Sequence, residues 1–137
     1  MTRGKVFLVE WDPTTAAQRA ATLRRDGWNV AVECENGGRA YRAIRTSVPD
    51  AVVLDLRRQP VHGREVGGAL RDLRATRHVP IVCIEDGAAA REATRAKIPD
   101  ALFVPETDLV GSLAELARER ARPVRAERLA AKSRSMS

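Results

Sequence analysis

Short apolar runs alternate five times with longer stretches whose apolar positions recur at helical spacing. Val6-Phe7-Leu8-Val9 and Ala51-Val52-Val53-Leu54 are apolar without interruption, the pattern of strands covered on both faces of a parallel sheet. Strands are predicted over Lys5–Glu10, Trp28–Cys34, Asp50–Leu56, Val79–Ile84 and Asp100–Val104. Asp12-Pro13 opens a first helix, with Asp12 as its N-cap, Ala16, Ala20 and Leu23 as its inward face, and Asp26-Gly27 as its stop. Asn36-Gly37-Gly38 reads as a turn before a second helix, Arg39–Thr46, with Ala40, Ile44 and Val48 inward. Gln59 to Gly63 reads as a loop before a third helix, Arg64–Arg74, carried by Val66, Leu70 and Leu73 and weakened by Gly67-Gly68. A fourth, Ala-rich helix is predicted over Gly87–Lys97. A fifth runs from Thr107 to about Arg120 on Leu109, Leu113 and Leu116, and Pro123 ends it. The alternation predicts an α/β fold, a doubly wound five-stranded parallel sheet with helices on both faces. Such folds bind ligands at the carboxyl ends of their strands. That directs attention to Glu10-Trp11-Asp12, Asp55, Glu85-Asp86 and Val104-Pro105.

The 137 residues suit one core, and with only 4% aromatics that core must be built from Val, Leu, Ile and Ala. The Val6–Val9 run is too short for a signal peptide, and no stretch approaches the roughly 20 apolar residues of a membrane span. The expectation is a cytoplasmic protein. Cys34 and Cys83, isolated in separate strands, read as buried thiols. The net charge of +6 is lopsided: residues 118–137 carry seven basic side chains against two acidic ones, leaving the other 117 residues near neutral. The chain is therefore read as a domain over 1–122 and a basic, flexible tail over 123–137. The tail offers itself to nucleic acid or an acidic partner, although it has no aromatic side chain for base stacking. His62 and His78 read as solvated loop residues without a nucleophile at useful spacing. With no glycine-rich phosphate loop and no Gly-x-Ser-x-Gly, the motifs point away from an enzyme.

Pro49-Asp50-Ala51-Val52-Val53-Leu54-Asp55-Leu56, Gly63 eight residues beyond Asp55, the Asn36-Gly37 turn and His78-Val79-Pro80-Ile81-Val82 together resemble the CheY-like receiver domain of bacterial response regulators, over about residues 4 to 117. The resemblance implies a flavodoxin-like (βα)5 sandwich. It also implies a phosphoacceptor aspartate that holds Mg²⁺ with two acids after the first strand. A hydroxyl residue would end the fourth strand and a Lys-Pro would follow the fifth. It assigns Asp55 as the phosphoacceptor candidate, Glu10 to the first acid position and Trp11 to the second, with Asp12 one step beyond. Glu85 falls at the hydroxyl position, Val104 at the lysine position and Ala101 at the aromatic switch position. Arg57 falls where only a backbone carbonyl is asked for.

These departures matter through charge. A phosphoryl group adds about −1.5 to −2 at neutral pH. Val104 cannot offset it, and Glu85 is expected to add a further carboxylate beside Glu10 and Asp55. Crowded carboxylates would raise the pKa of Glu85 or Asp55. Glu10 and Asp55 remain metal candidates for Mg²⁺, while Arg57 and Arg58 offer another means of neutralisation. The reading is a degenerate receiver (a pseudo-receiver). It would act by phosphorylation-independent protein contact through the fourth-helix, fifth-strand, fifth-helix face. Two alternatives stand beside it: a phosphoacceptor served by a histidine kinase, and a nucleic-acid adaptor using the tail.

Overall fold

The computed structural model describes residues 2–85 and 87–119. Its elements run β1 (Gly4–Val9), α1 (Pro13–Arg25), β2 (Trp28–Glu33), α2 (Gly37–Thr46), β3 (Ala51–Asp55), α3 (Pro60–Asp72), β4 (Ile81–Ile84), α4 (Ala88–Lys97) and β5 (Leu102–Phe103). A single 3₁₀ turn, Glu106–Asp108, then leads into α5 over 109–119. All strand pairs are parallel, in the order β2-β1-β3-β4-β5. The expected α/β sandwich is the observed one. The basic tail over 123–137, with Pro123 and the proposed nucleic-acid contacts, lies outside the described residues, as does Asp86. Among the described residues no helix is long and apolar enough to cross a membrane.

Several boundaries differ from the expectation for local reasons. Pro60 sits at the first turn of α3, so most of the stretch predicted as a loop, His62 included, is helix. The preceding Gln59 turns the chain with a positive φ of 46°. Val48, expected inward, lies past the end of α2 and is 42% exposed. β5 keeps only two residues, so Val104 follows it rather than ending it. Cys34 lies just past β2 and is half-buried, whereas Cys83 is fully buried in β4. Burial pushes the Cys83 thiol up to about 12, so it is inert at neutral pH.

Side-chain parity along the strands sorts the core into two layers. Phe7, Val9, Val52, Leu54, Ile81 and Cys83 face Ala40 and Ile44 of α2, Val66 and Leu70 of α3, and Ile98. Val6, Leu8, Val53, Val82 and Ile84 face Ala20 and Leu23 of α1 and Leu109 and Leu113 of α5. Gly67 lets α3 sit close on the first layer. A Cβ there would fall 2.2 Å from Ile98 Cδ1 and 3.2 Å from Leu54 Cδ1, both in fully buried side chains. Overpacking costs about 1–3 kcal/mol and the gain in helix propensity returns about 1 kcal/mol. Gly67→Ala should therefore lower stability by about 1 kcal/mol in a urea titration. A stabilised variant would show that Ile98 yields freely.

Candidate functional site at the ends of β1 and β3

Order β2-β1-β3 places the switch point of the sheet between β1 and β3, where the connections leave toward opposite faces. Continuing the parity of Leu8 and Val53, Glu10 and Asp55 point toward the α1 side. Both are buried, Glu10 at 1% and Asp55 at 3% exposure. Arg19 meets them there, itself 7% exposed. Its Nη1 donates to Glu10 Oε2 at 2.5 Å and to Asp55 Oδ2 at 2.7 Å, while its Nη2 donates to Glu106 Oε1 at 2.7 Å. Arg57 closes the other side. Its backbone N–H and Nε donate to Asp55 Oδ1 at 3.0 and 3.1 Å, its Nη2 to Oδ2 at 2.7 Å, and its Nη1 to Glu106 Oε2 at 2.9 Å. Two guanidinium groups thus tie three carboxylates from β1, β3 and the turn after β5. An open cleft of about 330 Å³ lies over them, lined by Glu10, Thr15, Asp55, Arg57, Arg58 and Glu106.

The electrostatics follow from these contacts. Burial pushes Asp55 up, but hydrogen bonds from Arg57, the shared interaction with Glu10 and the hydrogen bond from Arg19 outweigh it and hold the carboxyl well below the usual range. Burial pushes Glu10 up to about 7, and the neighbouring Asp55 charge adds to the rise against the Asp12 N–H and Arg19. Arg19 and Arg57 hold Glu106 low. The raised carboxyl is therefore Glu10, and the expectation that Asp55 would be raised is corrected by the donors that surround it.

Asp12 caps α1 as its sequence context predicts, accepting from the Thr15 N–H at 3.2 Å and Thr15 Oγ1 at 2.5 Å, and it pairs with Arg58 at 3.2 Å. Trp11 points away from Asp55. It packs on the α2–α3 layer, edge-on to His62 with ring centroids 6.0 Å apart. Its parity matches Val9, not Glu10, and it bounds a separate groove between α2 and α3. Glu85 also departs from expectation. Asp55 is registered with Ile84, so Glu85, one residue on, turns to the opposite layer. There Arg64 Nη2 donates to it at 2.6 Å and Thr94 Oγ1 at 2.5 Å, tying the end of β4 to α3 and α4. Its charge is neutralised by Arg64 and is not added to the Asp55 cluster. Val104 packs against the α1–α5 layer and Ala101 against the other.

Sequence reasoning missed Arg19, Glu106, Arg64 and Thr94. For Arg19 a signal was present. It stands three residues after Ala16 and four before Leu23, on the inward stripe of α1, where an arginine must find buried acids. The other three come together only through the tertiary fold.

The receiver resemblance implies Mg²⁺ at Glu10 and Asp55. The residues as arranged do not fit it. The carboxylate oxygens that would converge on the ion, Glu10 Oε2 and Asp55 Oδ2, are both bonded to Arg19 Nη1. Among the described residues no group of three or more His, Cys, Asp or Glu is placed to hold a metal ion.

No family model matches the chain. It is 30% identical over 117 residues to the transcriptional regulatory protein NarL of Mycobacterium tuberculosis, covering 70% of this chain and 54% of that protein. It is 37% identical over 82 residues to the DNA-binding response regulator MtrA of Mycolicibacterium smegmatis, covering 60% of this chain and 34% of that protein. The chain thus spans about half the length, or less, of these two relatives. Among solved structures it resembles the BeF₃-activated receiver domain of RstA from Klebsiella pneumoniae, with a TM-score of 0.66 and 28% identity over 83% of this chain and 98% of that one. It also resembles the receiver domain of a Pseudomonas aeruginosa sensor histidine kinase that holds magnesium in its active-site cleft. There the TM-score is 0.67 and the identity 22%, over 83% of this chain and 97% of that one. The chain therefore has the CheY-like receiver fold, and the proteins it is similar to are response regulators and receiver domains of two-component systems.

Proposed function

We propose that this chain is a regulatory module of two-component-type signalling that works by protein–protein contact without phosphorylation of Asp55, and that it catalyses no reaction of its own. The observation that carries this reading is Arg19 Nη1, wedged between Glu10 and Asp55 at 2.5 and 2.7 Å. Both Asp55 oxygens already accept from guanidinium groups, and the position of the receiver lysine is the apolar Val104. A phosphoryl group arriving there would meet the Glu106 carboxylate, and among the described residues the cations that line the cleft are already paired, Arg57 with Asp55 and Glu106 and Arg58 with Asp12.

The contact surface that fits is the face of α4, β5 and α5. Leu102 is 42% exposed there, and Arg91 and Arg95 stand over the Phe103 ring at 5.7 and 4.8 Å. Glu106 begins the turn that starts α5, so the Asp55 cluster is mechanically tied to this face. A second reading, in which Asp55 takes a phosphoryl group from a histidine kinase, draws on the position of Asp55 at the end of β3 beneath an open cleft. Intact-mass analysis of the full chain after acetyl phosphate and Mg²⁺ decides between them. The expected result is an unmodified chain. An Asp55 acyl phosphate near one per chain, absent from Asp55→Asn, would overturn the proposal in favour of the second reading.

A further inference from the structure

We infer that Arg19 is the resident cation of this pocket: its guanidinium stands where a divalent ion would bridge Glu10 and Asp55, and Glu106 latches it there. One nitrogen, Nη1, satisfies an oxygen of each buried acid, and the other, Nη2, is held by Glu106 at 2.7 Å. A divalent ion held between Glu10 and Asp55 would compete for the same two oxygens. The two cations are therefore mutually exclusive. The guanidinium has the advantage of being covalently tethered on α1, where Arg19 is buried along with Ala16, Ala20 and Leu23. Glu106 adds a second hold: it also pairs with Arg57 at 2.9 Å, so the latch is anchored to β3's own exit loop. The chain keeps two of the acids that could bind Mg²⁺ and fills the space between them from within.

This inference concerns the same site as the proposed function but does not depend on whether Asp55 accepts a phosphoryl group. Thermal melts of the full chain with millimolar MgCl₂ or with EDTA test it. Wild type should melt at the same temperature in both. Arg19→Met should melt lower in EDTA and gain about 5 °C in MgCl₂, because an ion that binds only the folded state stabilises it. Arg19→Met/Asp55→Asn should lose that gain. Arg19→Gln, which retains a polar head, supplies the same comparison if the methionine variant does not fold. A wild-type melt that rises with MgCl₂ would overturn the inference, as would Arg19 variants indifferent to it. Either result could accompany an unphosphorylated Asp55, so the two ideas fail separately.

Discussion

Arg19→Met should lose about 3–5 kcal/mol of folding stability at neutral pH, because it strands buried Glu10 without its counter-charge and leaves Asp55 to Arg57 alone. The side chain is 7% exposed and makes three ion pairs, to Glu10, Asp55 and Glu106. Methionine fills a similar volume, so the loss is electrostatic and not a cavity effect. Glu10→Gln in the Arg19→Met background should recover part of it, because one stranded charge disappears. By contrast Arg39→Met, at an exposed pair with Glu33 and Glu35, should cost less than about 1 kcal/mol. Denaturant titrations give both values. A loss at Arg19 as small as that at Arg39 would mean that the acids relax into solvent when the guanidinium leaves.

Stability should fall by about 2 kcal/mol between pH 5 and pH 8, and Glu10 is the cause. Its folded pKa of about 7 lies above its ordinary 4.5, so the folded state binds the extra proton across that window. The contribution is fully present below about pH 4.5 and is lost as pH rises through about 7. Asp55 has the opposite sign. Its folded pKa is depressed, so its contribution is present above the unfolded value and lost as the solution is made strongly acidic. Stability should therefore peak in mild acid. Glu10→Gln keeps one acceptor oxygen, enough for Arg19 or for the Asp12 N–H but not for both, and it cannot titrate, so its stability, although lower, should be flat from pH 5 to 8. A wild-type profile that rises steadily over this range would show that Glu10 ionises freely.

The fold was legible because the sequence states the layers twice. The continuous apolar runs at Val6–Val9 and Ala51–Leu54 announce a sheet covered on both faces, and Ala16, Ala20 and Leu23 mark the stripe that covers one of them. Boundaries were less legible where one residue decides them. Pro60 reads equally as loop or as the first turn of a helix, and only the left-handed Gln59 before it settles the matter. For the site, Asp12 caps α1 as its context suggests, and Glu10 and Asp55 end side by side at Arg19. Glu85 and Trp11 were assigned to the pocket by position, whereas strand parity sends both to the other layer. The same period of two that gave the strands carried that information. Arg19 was legible as an arginine on an apolar stripe. Glu106 was not, because its pairing across 87 residues with Arg19 depends on how the turn after β5 folds back over β3.

The clearest test of the internally neutralised pocket is carboxyl ¹³C NMR of the full chain, followed through a pH titration with and without Mg²⁺. Asp55 is expected to stay ionised well below the usual aspartate range, Glu10 to titrate near 7, and neither curve to move when Mg²⁺ is added. An Asp55 that titrates normally, or a pair of curves displaced together by Mg²⁺, would contradict it: the acids would then face solvent and metal, and Arg19 would not stand between them.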